Sequence, residues 1–128
     1  MFESIEKRNI QDYIRSNHGK ITVKPGLCRF NYRCHNNAAH DAIEADDESL
    51  AMCVYFEDND PVIHFINIRN GEYIDNTLGH WSKFMEYYLI RTISKDEFFE
   101  VLDIFTSYRN FLKRMQPLHI RLLSKYYC

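Results

Sequence analysis

The sequence predicts an α+β fold in which a small antiparallel sheet packs against helices. Three observations support this prediction. Apolar residues recur at helical spacing near both ends of the chain, a strand-like apolar run lies in the middle, and Asn70-Gly71 is a typical two-residue hairpin turn. The chain has 128 residues, of which 45% are apolar, so it can bury one ordinary core, and residues 1–128 are expected to form a single domain.

The amino-terminal part is expected to contain two helices and a short strand. Residues 2–17 place apolar side chains at roughly helical spacing, and Gly19 is positioned to end that helix. A short strand, ITVKP, then ends at Pro25-Gly26. From Cys34 the segment CHNNAAHDAIEA contains alanines and neither glycine nor proline, which favours a second helix that starts near the cysteine.

The middle of the chain is expected to supply three antiparallel strands. Residues 50–57 form the first strand, and the tetrapeptide at residues 58–61 forms a turn. Two more strands flank Asn70-Gly71. If that dipeptide is a two-residue turn, Arg69 faces Glu72 and the pairing proceeds outward from them.

The carboxy-terminal part is expected to be helical. The segment from residue 81 to residue 90 is aromatic and apolar, and its type is ambiguous. Ser94 and Glu97 then match a capping box, after which apolar residues recur at helical spacing. This pattern predicts one long amphipathic helix that ends or kinks at Pro117, followed by a short helix over residues 118–127.

Composition excludes several classes of function. The chain carries 16 basic and 18 acidic side chains, so it has no overall basic field that would hold nucleic acid. No apolar run approaches the roughly 18 residues that cross a bilayer, and the amino terminus is too charged for a secretory signal. We therefore expect a cytoplasmic protein that binds neither nucleic acid nor membrane. Its four cysteines are expected to be free thiols, because the core is large enough without disulfides.

The hairpin register brings one histidine and one aspartate together. With a two-residue turn, His64 and Asp75 share a face as diagonal neighbours, with Cα atoms roughly 7–8 Å apart. A carboxylate at that distance can fix the tautomer of the imidazole and stabilise its cation, as a catalytic base requires. A three-residue turn would place the two on opposite faces. Arg69 and Glu72 fall on the other face, where a solvated charge pair is expected.

Cys34 is the best placed of the four cysteines to act as a nucleophile. In the first turn of a helix, the unpaired amides and the positive end of the dipole favour the thiolate. Cys28 precedes the helix in a loop, and Cys53 alternates inside an apolar strand as a small hydrophobic residue would. Cys128 is the last residue.

Together these segments resemble a known superfamily. The order of CHNNA, VIHFINI and YIDNT resembles the transglutaminase-like and NlpC/P60-like branch of the papain-like cysteine hydrolases, over about residues 20 to 80. The resemblance implies a papain-like core in which Cys34 is the nucleophile, His64 the base and later the acid, and Asp75 the orienting group. Thr77 completes the Asp-x-Thr that often closes this motif.

Two features depart from the pattern of that branch. Phe65-Ile66 follow the histidine where a small residue and then tryptophan are common in transglutaminase-like members. A separate glycine-rich substrate loop is not recognisable.

The function that the resemblance implies is acyl chemistry without a cofactor. A cysteine-dependent hydrolase or acyltransferase would act on a peptide, another amide, an ester or a thioester. The backbone amide of Cys34 and a donor such as Asn31 could form the oxyanion hole. His80 and Trp81 either line the rim of the same site or merely pack.

A zinc site is a competing hypothesis. Enough soft ligands are present, but no Cys-x-x-Cys pair occurs and the spacing matches no recognised zinc motif, so we predict no metal. The candidate ligands would be Cys28, Cys34, His35, His40, Cys53 and His64.

A binding protein without chemistry is the other alternative. The carboxy-terminal half contains more aromatic residues than one small core needs, and part of them could form a homodimer or bind a host protein. A catalytically inactive papain-like protein, encoded by a phage or mobile element and acting as an inhibitor, would have almost the same sequence. Reactivity of Cys34 separates the two.

Overall fold

The structure is a computed structural model that describes residues 2–29, 33–57 and 59–115. The described residues contain three α-helices, six β-strands and two 3-10 helices. The helices are α1 (Phe2–Asn17), α2 (Cys34–Glu44) and α3 (Val101–Arg114). The strands are β1 (Lys20–Ile21), β2 (Val23–Pro25), β3 (Ser49–Glu57), β4 (Asp60–Arg69), β5 (Glu72–Asp75) and β6 (Tyr87–Ser94). The 3-10 helices are Gly79–Phe84 and Lys95–Glu100.

All six strands belong to one sheet with the order β1-β6-β3-β4-β5-β2. Every neighbouring pair is antiparallel except β2 with β5, which is parallel. The two edge strands, β1 and β2, are consecutive in the chain and only Thr22 separates them. The sheet must therefore curl until its edges are adjacent, which makes it nearly a barrel. The fold is mixed α and β with a mostly antiparallel sheet, as predicted in outline, although the sheet is larger than expected.

The two faces of the sheet carry separate cores because side chains alternate along each strand. Met52 and Val54 of β3 pack with the helices in the larger core, which includes Ile14 of α1 and Leu112 of α3. The inner core of the curled sheet holds the alternate side chains of β3 together with residues of β4 and β6. Its buried apolar members are Ala51, Cys53, Tyr55, Val62, Ile66 and Tyr87.

Several predicted elements are confirmed. Helix α1 has the expected bounds, and α2 begins at Cys34. The hairpin has a two-residue turn, with Arg69 opposite Glu72 and the next two pairs in the expected register. Asn70 and Gly71 both have positive φ, of 54° and 76°, which is the conformation that this type of turn requires.

Other boundaries differ from the prediction. The predicted strand before Pro25-Gly26 is interrupted at Thr22, where the chain passes from one edge of the sheet to the other. Strand β4 already begins at Asp60, so the preceding turn is shorter than four residues. Pro61 is tolerated inside β4 because β5 does not pair with that end of the strand.

The largest difference from the sequence-based expectation is that residues 87–94 form a strand, β6, inside the sheet. The ambiguous segment contains a 3-10 helix and then the start of a strand between β1 and β3. The register between β6 and β3 shifts at Met52/Cys53, which is typical of a β-bulge. The bulge breaks the strict alternation of buried and exposed side chains, and that alternation is the signal by which a strand is recognised in a sequence.

The capping box is confirmed, but the helix that follows it is divided. The Glu97 carboxylate accepts hydrogen bonds from the Ser94 amide (3.2 Å) and the Ser94 hydroxyl (3.0 Å). The chain then forms the 3-10 helix Lys95–Glu100 before α3 begins. The predicted break at Pro117 and the helix over residues 118–127 lie outside the described residues.

The predicted charge pair of Arg69 with Glu72 is wrong. Arg69 pairs with Asp47, at 2.9 Å between Nη2 and Oδ2, and Glu72 pairs with Lys24 at 2.5 Å. The loop after α2 and the parallel strand β2 each bring an opposite charge to the hairpin, which the hairpin sequence alone does not reveal.

Candidate active site

His64 and Asp75 form a buried hydrogen-bonded pair. His64 Nε2 lies 2.8 Å from Asp75 Oδ2, and neither side chain is exposed to solvent. The contact that the hairpin register predicted is thus present. The backbone pairing of β5 with β4 nevertheless ends at Ile74, which lies opposite Asn67. Asp75 is the next residue, and its backbone pairs with Pro25 of β2.

Four donors from described residues surround the Asp75 carboxylate. Oδ1 accepts from the backbone amides of Thr77 and Leu78, both at 2.9 Å. Oδ2 accepts from the Tyr87 hydroxyl at 2.6 Å and contacts His64. Burial by itself raises the pKa of Asp75, but the charge of His64 and the hydrogen bonds from His64, Tyr87 and Leu78 outweigh it and hold the pKa below its ordinary value. The carboxylate is therefore ionised at neutral pH.

The ionised carboxylate determines the tautomer of His64. Since both carboxylate oxygens are acceptors, Nε2 must carry the proton that is shared with Asp75. In the neutral ring Nδ1 then holds a lone pair. That atom is buried and has no hydrogen-bond partner among the described residues. His64 is thus oriented by a carboxylate at Nε2.

Cys34 begins α2, as predicted, and its side chain is fully buried. Its Sγ accepts a hydrogen bond from the Phe65 amide at 3.3 Å, so the sulfur lies against β4 at the residue that follows His64. The dipole of α2 favours negative charge at this position. The sulfur belongs to the larger core together with Phe65, whereas the ring of His64 contacts Tyr55 and Tyr87 of the inner core, so the Cys34 sulfur and the His64 ring lie on opposite faces of β4.

The structure contradicts the expectation of four free thiols, because Cys34 is disulfide-bonded. Cys28 and Cys53 are free, as expected, and Cys128 lies outside the described residues. The prediction was based on the size of the core, which does not determine whether two cysteines approach each other in space. A disulfide sulfur is not a nucleophile, so Cys34 must be reduced before it can attack a substrate.

Two buried asparagines connect α2 with the strands of the site, and neither was singled out in the sequence. Asn37, one turn after Cys34, donates from Nδ2 to Thr77 Oγ1 at 2.9 Å. Asn67 donates to the Ala38 carbonyl of α2 at 2.8 Å. A signal existed for both, since amide side chains at otherwise apolar helix and strand positions need buried partners. They attach α2 to β4 and to the residue two positions after Asp75.

Two of the remaining predicted site residues, His80 and Trp81, make no ring contact with His64. Asn31 lies outside the described residues. His80 and Trp81 are exposed on a 3-10 helix, where their rings lie 5.1 Å apart and Trp81 also contacts Phe84. The ring contacts of His64 are instead with two buried tyrosines.

Among residues 2–29, 33–57 and 59–115, no group of three or more His, Cys, Asp or Glu side chains is arranged to hold a metal ion. Within the same part of the chain, no helix combines the length and the apolar character needed to cross a membrane.

The fold and the site together define a mixed α/β protein with a curled, mostly antiparallel sheet, a buried His–Asp pair, and a helix-initiating cysteine whose sulfur contacts the backbone amide of the residue after that histidine. Comparisons with protein-family models, curated proteins and solved structures yield no match.

The lowered pKa of Asp75 predicts an acid-dependent loss of stability. A carboxyl group whose pKa is lower in the folded than in the unfolded protein contributes stability that is complete above the unfolded value, about 4, and is lost as pH falls through the folded value. We expect the free energy of unfolding of the wild type, measured by urea titration, to fall below about pH 4. Asp75→Asn should show a smaller decrease. Equal slopes in both proteins would contradict this prediction.

Proposed function

We propose that this protein is a cysteine-dependent acyl hydrolase or acyltransferase with a papain-like core. Cys34 is the nucleophile, His64 the base and Asp75 the orienting group. The proposal rests on the contacts of His64 and of the residue after it. Nε2 of His64 is hydrogen-bonded to Asp75, and Nδ1 has no hydrogen-bond partner among the described residues. The Cys34 sulfur accepts a hydrogen bond from the backbone amide of Phe65, the next residue of the same strand.

The proposed reaction requires that Cys34 is reduced and that its sulfur reaches the ring of His64, which lies on the other face of β4. His64 Nδ1 accepts the thiol proton, and the ionised Asp75 stabilises the resulting imidazolium. The thiolate attacks the carbonyl carbon of an amide, ester or thioester, forming a carbon–sulfur bond. The leaving group then departs with the proton that His64 returns. Water or an amine attacks the acyl-enzyme while His64 accepts its proton, and the thiol is restored.

The transition state also needs donors for the carbonyl oxygen. The backbone amide of Cys34 is one candidate because it lies at the start of α2, where the helix dipole favours negative charge. Asn31 is retained as the proposed second donor. His80 and Trp81 follow the loop after Asp75, and we propose that they contact the part of the substrate outside the reacting bond.

A second candidate function is a binding protein that has no activity. It is favoured by the complete burial of Cys34, His64 and Asp75 and by the disulfide at Cys34. In this case the pair stabilises the inner core only. A host protein or a second copy of the chain would then contact exposed apolar side chains. These include Trp81, Phe84, Phe99 and Leu102.

Alkylation of the reduced protein by iodoacetamide separates the two functions. We expect Cys34 to react selectively below about pH 7, because a thiolate paired with His64 persists where an ordinary thiol is protonated. In His64→Ala the rate at Cys34 should fall at least about tenfold at that pH. Peptide mass spectrometry gives the rate for each cysteine, and the exposed free thiol of Cys28 is the internal reference.

Acylation provides the second step of the test. Incubation with a simple thioester should add one acyl group at Cys34, visible as a mass increase, and Cys28→Ser should keep this reaction while Cys34→Ser loses it. Cooperative unfolding of each variant confirms that it is folded. If reduced Cys34 alkylates with the pH dependence of Cys28, the proposed enzyme function is wrong and the binding function replaces it.

A further inference from the structure

Tyr87 is a polar residue in the middle of the inner core. It lies on β6, a central strand, and is only 1% exposed. Its ring packs against Tyr55 and His64, with centroid distances of 5.7 Å and 6.1 Å. Its hydroxyl lies 2.6 Å from Asp75 Oδ2, the same oxygen that contacts His64 Nε2.

This hydroxyl completes the set of donors to Asp75. A carboxylate has about four acceptor positions, and here two backbone amides, one imidazole and one phenol occupy them. Rotation of the carboxylate would break several of these bonds at once. Burial raises the pKa of Tyr87, as does the adjacent charge of Asp75, so the hydroxyl remains protonated and donates.

The other polar side chains of the inner core, within the part of the chain that the structure describes, do not donate a hydrogen bond to the Asp75 carboxylate. The thiol of Cys53, on β3, donates a hydrogen bond to the His64 carbonyl oxygen at 3.3 Å, and burial holds the pKa of this thiol well above the ordinary value. Tyr55, also from β3, contacts the rings of His64 and Tyr87 edge-on. Among the described residues, the side-chain donors to Oδ2 therefore come from β4 and β6.

We propose that Tyr87 is a positioning residue for His64. By holding Oδ2 of Asp75 in one place, the hydroxyl keeps the ring proton of His64 on Nε2 and the lone pair on Nδ1. Its importance for the reaction rests on the proposed function, whereas its effect on the tautomer does not. The alternative is that Tyr87 only fills the core with its ring.

Tyr87→Phe separates the two roles because it keeps the ring and deletes the hydroxyl. Tyr88→Phe is the matched control, since it is the same substitution at the next residue of β6. The Tyr88 hydroxyl instead contacts Glu86 at 3.3 Å and Arg15 at 3.2 Å, and its ring belongs to the core on the helical side of the sheet.

The measurement is nitrogen-15 NMR of ring-labelled histidine, with His64 assigned from the signal that His64→Ala removes. We expect the wild type and Tyr88→Phe to show a protonated Nε2, an unprotonated Nδ1 and a slowly exchanging Nε2 proton. In Tyr87→Phe that proton should exchange with water at least about tenfold faster, as expected for the loss of one hydrogen bond to a charged group. Identical exchange rates and shifts in Tyr87→Phe and Tyr88→Phe would overturn the proposal.

A measurement on the wild type covers the case in which Tyr87→Phe does not fold. The Tyr87 hydroxyl proton should give a slowly exchanging signal with a nuclear Overhauser effect to the Nε2 proton of His64, and its absence would also overturn the proposal. These readouts do not require Cys34 to react. Ordinary reactivity of Cys34 together with the expected NMR result would therefore refute the enzyme function alone.

Discussion

Asp75→Asn is expected to lower the free energy of unfolding by about 3–5 kcal/mol, as for other buried charged networks that lose one partner. An asparagine side chain has one acceptor oxygen and one amino group, whereas the four groups that are hydrogen-bonded to the Asp75 carboxylate in this structure are all donors. In one orientation the amino group faces Tyr87 and His64. In the other it faces the amides of Thr77 and Leu78. Either way two buried donors lose their acceptor, which is costly in a dry core.

Urea unfolding at neutral pH measures this loss, and Asp12→Asn is the control because Asp12 is exposed on α1. The control should change the free energy of unfolding by less than about 0.5 kcal/mol. If Asp75→Asn were as stable as the control, the buried network would not be maintained in solution, and the orientation of His64 would lose its physical basis.

Phe98→Ala is expected to cost about 3–5 kcal/mol, the usual range for removal of a buried phenylalanine. Phe98 is 2% exposed and belongs to the larger core, on the helical side of the sheet, together with Ile93 and Leu112. It lies in the 3-10 helix that connects β6 to α3. Deleting the ring leaves a cavity at the junction of sheet and helix that the surrounding backbone can fill only in part.

The adjacent residue supplies the control for this prediction. Phe99 is 89% exposed, so Phe99→Ala removes the same ring from the surface and should leave the unfolding midpoint in urea nearly unchanged. Similar losses in both variants would mean that the 3-10 helix is rotated relative to this structure. A gain in solubility of Phe99→Ala at high protein concentration would in addition support self-association through this surface.

The disulfide at Cys34 has a practical consequence for any assay. Protein purified without a reductant would be inactive even if the proposed function is correct, because the sulfur would not be available as a thiolate. Activity that appears on reduction and disappears on reoxidation is therefore the expected behaviour. A binding function would not require reduced Cys34.

The hairpin shows how far local sequence determines this fold. Asn70-Gly71 accepts positive φ at both positions, so the turn has two residues and the register follows from it. Because side chains alternate along strands, His64 and Asp75 then had to share a face. The start of α2 at Cys34 was likewise local, since alanine-rich sequence without glycine or proline favours a helix.

Contacts between segments distant in the chain could not be predicted in this way. The bulge between β3 and β6 interrupts the alternation of buried and exposed side chains by which a strand is recognised in a sequence. The sequence therefore did not reveal Tyr87 as a donor to Asp75. The partners of Arg69 and Glu72 come from a loop and a strand outside the hairpin. The sequence by itself thus determined the helix start, the turn and the His64–Asp75 pair, which depend on backbone preferences of neighbouring residues. Only the tertiary structure decided what surrounds that pair, because closure of the sheet brings together residues that have no local relation.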